Sequence, residues 1–509
     1  MLVKPHKLIR IIGVLMASLL TLGVLFGCSS EPDTSNPVSS STDSGSDTNV
    51  NPSDQSSAES TQSGNPSDTT TVPGATTVST QKGSAGSSTR APVQVGERFV
   101  DLKGRTVKLF MWGYSKEWAN EAGKRAVKRF AEIEKNFNCK FKVVAGPGET
   151  DFDPIFTSIL SGAPSVDIVD TAGPHTIAKP IKGDLYLDLN QFGVFNWKES
   201  KWNKNANSVA NFGGKQYVAY ANLEGSEKQL LNAVLFFNKR LVKNAGYNPD
   251  DIYKWQKNGT WTWSKFEEVA TKISKLDKGN VWGTVGNDKL LYDSFVTSNG
   301  TDWIKKSDKK IIFNAGDAKA LQALNMYVKF YQNNVMPEDD SFSNPQMFLD
   351  GKVGFLPELL ERLRYSNTYG KMKDDYGVVM FPKGPNAKDY VSTVAWFGGY
   401  AIPTGTKDAK SIAKVVNFMC DSHYPNKAEE NKDTIVARES YVRDEQSLAI
   451  FEMVASRTYI SPQWLAEPVR SDWLNRLSAI KKGDITAANA VAENKDNYAN
   501  TLKDVWNIK

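Results

Sequence analysis

Thr106-Val-Lys-Leu-Phe-Met-Trp112, then Phe141-Lys-Val-Val144, then Val166-Asp-Ile-Val169, with a helical pattern in each interval, is the stretch whose reading decides the fold. The first run is apolar and ends on the aromatic-glycine group Trp112, Gly113 and Tyr114, as a strand entering a turn does. Ser115 is placed to cap the helix that follows, in which Ala126, Phe130, Ile133 and Phe137 form one apolar stripe on a 3.6-residue period. Asp153-Pro154 opens a second helix through Ile155, Phe156, Ile159 and Leu160, and Gly162 ends it. Short strands alternating with such helices predict parallel βαβ units, a buried sheet with helices over it.

Working outward, Gly213-Gly-Lys-Gln-Tyr217-Val-Ala-Tyr220 reads as a turn entering a strand, and Ala233-Val-Leu-Phe-Phe237 as a stronger strand followed by a short helix that ends near Gly246. Thr262 is placed to cap a helix carrying Phe266, Val269, Ala270 and Ile273, and Ala320, Leu324, Tyr327, Val328 and Tyr331 mark another. Val378-Val-Met-Phe381 and the run from Trp396-Phe397 through Ile402 read as strands, separated by the turn Pro382-Lys-Gly-Pro385. Ile412, Val415, Val416 and Met419 give a further helix face, and Ser461 to Trp506 reads as helical and aromatic. No short-period repeat interrupts the series.

Two segments precede this body. Lys4, Lys7 and Arg10 lead into an apolar run from Ile11 to Phe26 that closes as Leu25-Phe26-Gly27-Cys28, and the segment resembles a bacterial lipoprotein export signal. That resemblance implies a signal peptide over 1–27, cleavage before Cys28 and lipidation of its sulfur, including palmitate. The apolar run has 16 residues, fewer than the about 20 that a spanning helix needs. Residues 28–96 then consist largely of Ser, Thr, Gly, Asp, Asn and Pro without an aromatic residue, a composition that cannot offset the entropy of folding and predicts a tether. Random-coil scaling gives it a span of roughly 40 Å, a reach suited to the thick wall of a monoderm bacterium.

All 13 tryptophans lie in the body. The chain carries a formal charge of +5. Three leader bases, and a tether with seven acids against Lys82 and Arg90, leave the body about +7, with its lysines dispersed among acids rather than gathered in an arginine-rich stripe. That distribution argues against nucleic acid. Cys139 and Cys420 either pair or stand as two buried thiols. The histidines are His6, His175 and His423, with no HExxH pattern, so neither a metal site nor a cofactor is indicated.

Taken in order, the motifs resemble family 1 of the extracellular solute-binding proteins, the carbohydrate-oriented receptors of ABC importers. The pieces are Val107-Lys-Leu-Phe-Met-Trp-Gly113, Pro164-Ser-Val-Asp-Ile-Val169, Gly214-Lys-Gln-Tyr217 with Tyr220, and Val234-Leu-Phe-Phe-Asn-Lys239 with Gly246. They continue as Thr260-Trp-Thr-Trp-Ser-Lys-Phe266, Trp282-Gly283, Phe348-Leu-Asp-Gly-Lys-Val-Gly-Phe355, Phe381-Pro-Lys-Gly384 and Gly399-Tyr-Ala-Ile-Pro403. The sequence departs from the family in its long tether and at Pro164-Ser165, where an Asp commonly follows the proline. The resemblance implies an α/β, two-lobed periplasmic-binding-protein-like fold with an interlobe cleft and hinge. It divides the body into lobe 1 over 97–235 with a return over 386–425, lobe 2 over 236–385, and C-terminal helices over 426–509 that pack on the lobes. It further implies a monomer on the outer face of the cytoplasmic membrane that passes solute to ABC permease subunits.

A sugar offers C–H faces ringed by hydroxyls, and a receptor answers with aromatic platforms edged by carboxylates and amides. Trp112 and Tyr114 follow the first strand, Glu149 the second, and Asp170 and His175 the third, where the carboxyl ends of parallel strands open on a crevice. From the other side come Glu224, before the crossing strand, Glu358, after the Gly351-Lys352 turn, Trp396 and Tyr400 flanking Gly398-Gly399, and Trp464 of the terminal helices. These ten residues are the expected carbohydrate contacts. Trp261 and Trp263 read as packing residues. The alternatives are a peptide-binding receptor, which the same hinged lobes could form, and an exported glycoside hydrolase, whose carboxylate pair would need a spacing that sequence does not give. No nucleophile elbow is evident.

Overall fold

The computed structural model describes residues 98–112, 121–146, 152–171, 176–285, 288–307, 310–338, 344–364, 369–395 and 398–506. Ser115 lies outside them, and of Trp112 only the backbone is described. The deciding stretch folds as alternating strands and helices, its third strand starting two residues later than Val166. Strand β1 is Thr106–Trp112, helix α1 Glu121–Phe137, β2 Lys140–Gly146, α2 Phe152–Leu160 and β3 Ile168–Asp170. β1 lies between β2 and β3, parallel to both, with Val107 opposite Phe141 and Phe110 opposite Val169. Its side chains alternate between two cores, which is why nearly the whole strand is apolar. Val107, Leu109 and Met111 meet Ile133 and Phe137 of α1, whereas Phe110 meets Phe152, Ile155 and Phe156 of α2.

A second sheet is built from β4 (Ala233–Asn238), β5 (Trp282–Thr284), β6 (Val353–Leu359) and β7 (Tyr376–Val379) in the order β7-β4-β6-β5. Every residue of β4 is buried, with antiparallel neighbours on both sides. Among the helices of this lobe are α3 (Trp263–Ser274), α4 (Asp288–Ser298) and α5 (Ala318–Gln332). The Thr262 side chain accepts from Lys265 N and caps α3, as expected. Trp261 and Trp263 are buried in the core, in keeping with the packing role read for them. β7 both starts and stops two residues earlier than its sequence predicts. Gln256 Oε1 accepts from Met380 N at 2.5 Å and Trp261 Nε1 donates to Met380 O at 3.1 Å, so side chains take the groups that the ladder would have used.

The first sheet is completed from far down the chain. β8 is Ser392–Thr393 and β9 is Tyr400–Ala401, the latter running antiparallel to β3 with Tyr400 opposite Asp170. β9 is shorter than the strand expected up to Ile402, whose carbonyl accepts from Leu187 N at 2.9 Å, and Trp396 and Phe397 lie outside the described residues. The strand expected within Gly213 to Tyr220 reduces to a two-residue hairpin arm, Lys215–Gln216, with Ala219 bridging Tyr400 further on. Helix α6 (Ala409–Met419) covers the face of the first sheet shared with α1. Cys139 and Cys420 are both free and buried.

The two sheets define two lobes. The chain passes from the first to the second between Tyr220 and Ala233 and returns between Val379 and Tyr400. It crosses again after α6 through α7 (Lys427–Tyr441), reaching the second sheet where Ser447 Oγ accepts from Val378 N at 3.0 Å. At the first two crossings Asn232 bridges Val394, and Ala395 N donates to Leu231 O at 2.9 Å. Strand β10 (Thr458–Tyr459) runs parallel to β8, and Val394 N donates to Tyr459 O at 3.0 Å. A narrow three-stranded band thus joins the lobes, the geometry of a hinge. Helices α8 (Val469–Lys482) and α9 (Ala487–Trp506) pack on α5, and Trp506 also reaches Phe212 with ring centroids 4.4 Å apart.

Phe266 is fully buried, and its ring lies 5.0 Å from Phe330, 5.1 Å from Phe355 and 5.9 Å from Phe381. Phe266→Ala is expected to cost about 3–5 kcal/mol in urea unfolding; a loss below about 1 kcal/mol would contradict this packing.

Candidate functional site

β1 and β3 are neighbours, but the chain reaches them by crossing to opposite sides, so their carboxyl ends border a switch-point crevice. A cavity of about 770 Å³ opens there, lined by Met111 at the end of β1 and Asp170 at the end of β3. That volume lies in the ordinary range for small-molecule sites. Tyr220, Tyr400, Gly398 and Gly399 add a wall from the strands that meet at Ala219, and Asn232, Val394, Thr458 and Ile460 of the band form the side nearest the hinge. Arg125 and Arg129 of α1, one helical turn apart, line it from the first lobe.

Asp170 is partly open to the cavity yet surrounded by protein, and this burial pushes its carboxyl up to about 7. No hydrogen bond or ion pair holds it among the described residues, and the phenol-bearing rings of Tyr220, Tyr400 and Tyr186 are its neighbours. Gly399 is required by close approach: a Cβ there would stand 2.6 Å from the Tyr220 ring and 2.7 Å from Ala219 O.

The rim is built differently. Burial alone would raise Glu224, but hydrogen bonds from the side chain and backbone of His423, with one from Ser422, outweigh it and bring the carboxyl down to about 2. His423 N donates to Glu224 Oε2 at 2.9 Å and Nδ1 stands 3.4 Å from the same oxygen. Next door, Gly225 has φ +54°, and a Cβ would fall 1.8 Å from the Tyr424 hydroxyl, so this turn accepts only glycine. Asp433 of α7 accepts from Ser226 N at 3.0 Å and from Tyr424 Oη, and Arg125 lies 4.9 Å over the Tyr424 ring. Several other charges at the wall have partners within the protein. Arg364 holds Glu227 through two contacts of 2.9 Å, Lys228 pairs with Glu430, and Arg129 Nη2 donates to Ser422 O at 2.6 Å.

Of the ten expected contacts, Asp170, Glu224 and Tyr400 come together on this cavity. Glu358 and Trp464 are not brought to it. Glu358 lies on β6, buried, with Leu359 N donating to it at 2.9 Å and Arg362 Nε 3.1 Å away. Trp464 is buried beside Arg470, whose guanidinium sits 4.3 Å over its ring. Tyr114, Glu149, His175 and Trp396, and the side chain of Trp112, lie outside the described residues. Sequence reasoning passed over Tyr220, His423 and Asn232 as contacts. Tyr220 carried a signal, since it stands in the motif before the crossing, whereas Asn232 had none.

Two α/β lobes, a hinge band and a cavity at the carboxyl ends of parallel strands define a solute-binding protein. A family model described as bacterial extracellular solute-binding protein matches residues 114–421, more than half of the chain, and the chain belongs to that family. Over 109 residues it is 30% identical to the arabinooligosaccharide-binding protein of Bacillus subtilis (strain 168), a match that covers 21% of this chain and 23% of that relative. Three solved structures resemble the fold. The cyclic alpha-maltosyl-1,6-maltose binding protein of Arthrobacter globiformis has a TM-score of 0.58 at 14% identity, covering 79% of this chain and 99% of that one. The GacH receptor of Streptomyces glaucescens, solved unliganded and with acarbose, gives 0.55 at 17%, with coverage of 79% and 99%. An ABC substrate-binding protein of Listeria monocytogenes in complex with cycloalternan gives 0.54 at 18%, with coverage of 78% and 99%. At such identities the likeness concerns the fold.

The raised Asp170 carboxyl sets a pH dependence. A folded-state value above the unfolded one means that the native state holds this proton more tightly, so the group's contribution to stability falls as pH rises from about 4 to about 7. Asp170→Asn removes that slope. In urea unfolding of the solute-free protein, its gain over the parent is expected to be about 2 kcal/mol larger at pH 8 than at pH 5; an equal gain at both would place Asp170 in an ordinary solvated setting.

Proposed function

We propose that this protein is the membrane-tethered receptor of an ABC importer, which captures a carbohydrate, an oligosaccharide by preference, and hands it to the permease without chemical change. In this reading Cys28 carries the lipid, residues 28–96 hold the body away from the outer face of the cytoplasmic membrane, and the receptor works as a monomer. Family membership supports the receptor role. The arabinooligosaccharide-binding relative and the saccharide-bound structural neighbours support the solute class.

The observation that carries the proposal is the contrast within the cavity. The wall charges Glu224, Glu227 and Lys228 already have protein partners, while Asp170, beside the rings of Tyr220 and Tyr400, has none among the described residues. A sugar supplies hydroxyls for such an acceptor and a C–H face for the rings. An extended peptide would instead require partners for its backbone groups and termini. Trp112, Tyr114, Glu149, His175 and Trp396 are proposed as further contacts, because the segments bearing the first four leave β1, β2 and β3 at this same edge of the sheet. Closure follows from population shift: a solute touching both sides of the cleft favours the state in which both touch it.

Titration calorimetry of the purified protein with arabinotriose, maltotetraose, monosaccharides, amino acids and short peptides tests the assignment. Binding to at least one oligosaccharide is expected, weakened about ten-fold or more by Tyr400→Ala with circular dichroism unchanged. Response to peptides alone would reject the sugar, and release of shorter saccharides during the titration would reject a pure receptor.

A further inference from the structure

The band between the lobes is held by one side chain as well as by its backbone. Asn232, on the outgoing pass, has its amide nitrogen 3.2 Å from Ser392 Oγ on the return pass and 3.1 Å from Thr458 Oγ1 on β10. Each hydroxyl passes its own proton onward, Ser392 to Ala233 O at 2.7 Å and Thr458 to Val454 O at 2.9 Å. Both hydroxyls therefore need a donor on their remaining side, which fixes the amide with its two N–H groups toward them. The other end of the amide, Oδ1, has no protein partner among the described residues, and Asn232 lines the cavity. An amide oxygen in such a place loses a water partner without replacement unless the solute supplies a donor.

We propose that Asn232 couples occupancy of the cavity to the opening of the lobes: its nitrogen ties the three segments of the band together, and its oxygen accepts a hydroxyl of the bound solute. The second half rests on the carbohydrate reading above; the first does not. A solute hydroxyl donating to Oδ1 polarises the amide, strengthens both N–H bonds to the band and so favours one hinge geometry. Asn232 is thus a positioning residue as well as a contact, and a change there alters both opening and affinity.

The test uses the full chain in a Cys28→Ser background, with spin labels at the exposed Lys142 on the first lobe and Lys257 on the second. Distances between the labels are measured without solute and with maltotetraose or arabinotriose. Without solute, Asn232→Leu and the double variant Ser392→Ala/Thr458→Val are both expected to broaden the distribution relative to the parent. For whichever sugar narrows the parent distribution, Asn232→Leu raises the midpoint about ten-fold, whereas the double variant, which keeps Oδ1, raises it about three-fold or less. If neither sugar acts on the parent, the carbohydrate reading fails and the solute-free comparison alone decides the tie. Unchanged solute-free distances in both variants, even with lowered melting temperatures, would reduce Asn232 to a packing residue and overturn the proposal.

Discussion

The molecule depends on the narrow band in which Leu231–Asn232, Ser392–Ala395 and Thr458–Tyr459 lie side by side. Each lobe has its own sheet, and the apolar layer under α2 continues through Phe212 and Trp506 into the layers of the second lobe. At the band the residues pair with one another through their backbone groups, and a further crossing runs through α7. The cavity lies directly against this band, with Asn232, Val394 and Thr458 in its wall, so a bend about the band would change its width.

The chemistry of the cavity follows from what the protein leaves unsatisfied. Most charges at its wall have partners, several from the segment after α6: His423 for Glu224, Tyr424 and Asp433 for the turn at Gly225, Glu430 for Lys228. These contacts fix the rim. Asp170 and the oxygen of Asn232 are different, because each is an acceptor held in place by covalent position or by its neighbours and left without a donor among the described residues. Acceptors arranged in advance select solutes rich in hydroxyl groups, and they lose no ordering entropy of their own when such a solute arrives.

Much of this was legible in the sequence because it is local. The period of Ala126, Phe130, Ile133 and Phe137, the cap at Thr262 and the apolar run of β4 all became the elements they describe. Asp170 was legible as a cavity residue because its place at the end of a parallel strand fixes it at the crevice. What escaped reading depends on partners remote in the chain. β7 stops early because Gln256 and Trp261 reach Met380 across 119 residues or more, and the rim pair Glu224–His423 spans 199. Glu358 reads as a second-lobe contact after the Gly351-Lys352 turn, but the turn leads into a covered strand where Arg362 takes the carboxylate. Asn232 gave no local sign at all, since its partners belong to two other passes of the chain.

The most direct test of lobes that close on a shared solute is small-angle scattering of the purified protein, alone and with each of a series of linear and cyclic oligosaccharides. The account predicts that at least one of them reduces the radius of gyration in a saturable way, with a midpoint matching its calorimetric affinity. A sugar that binds tightly while leaving the scattering profile unchanged would contradict it.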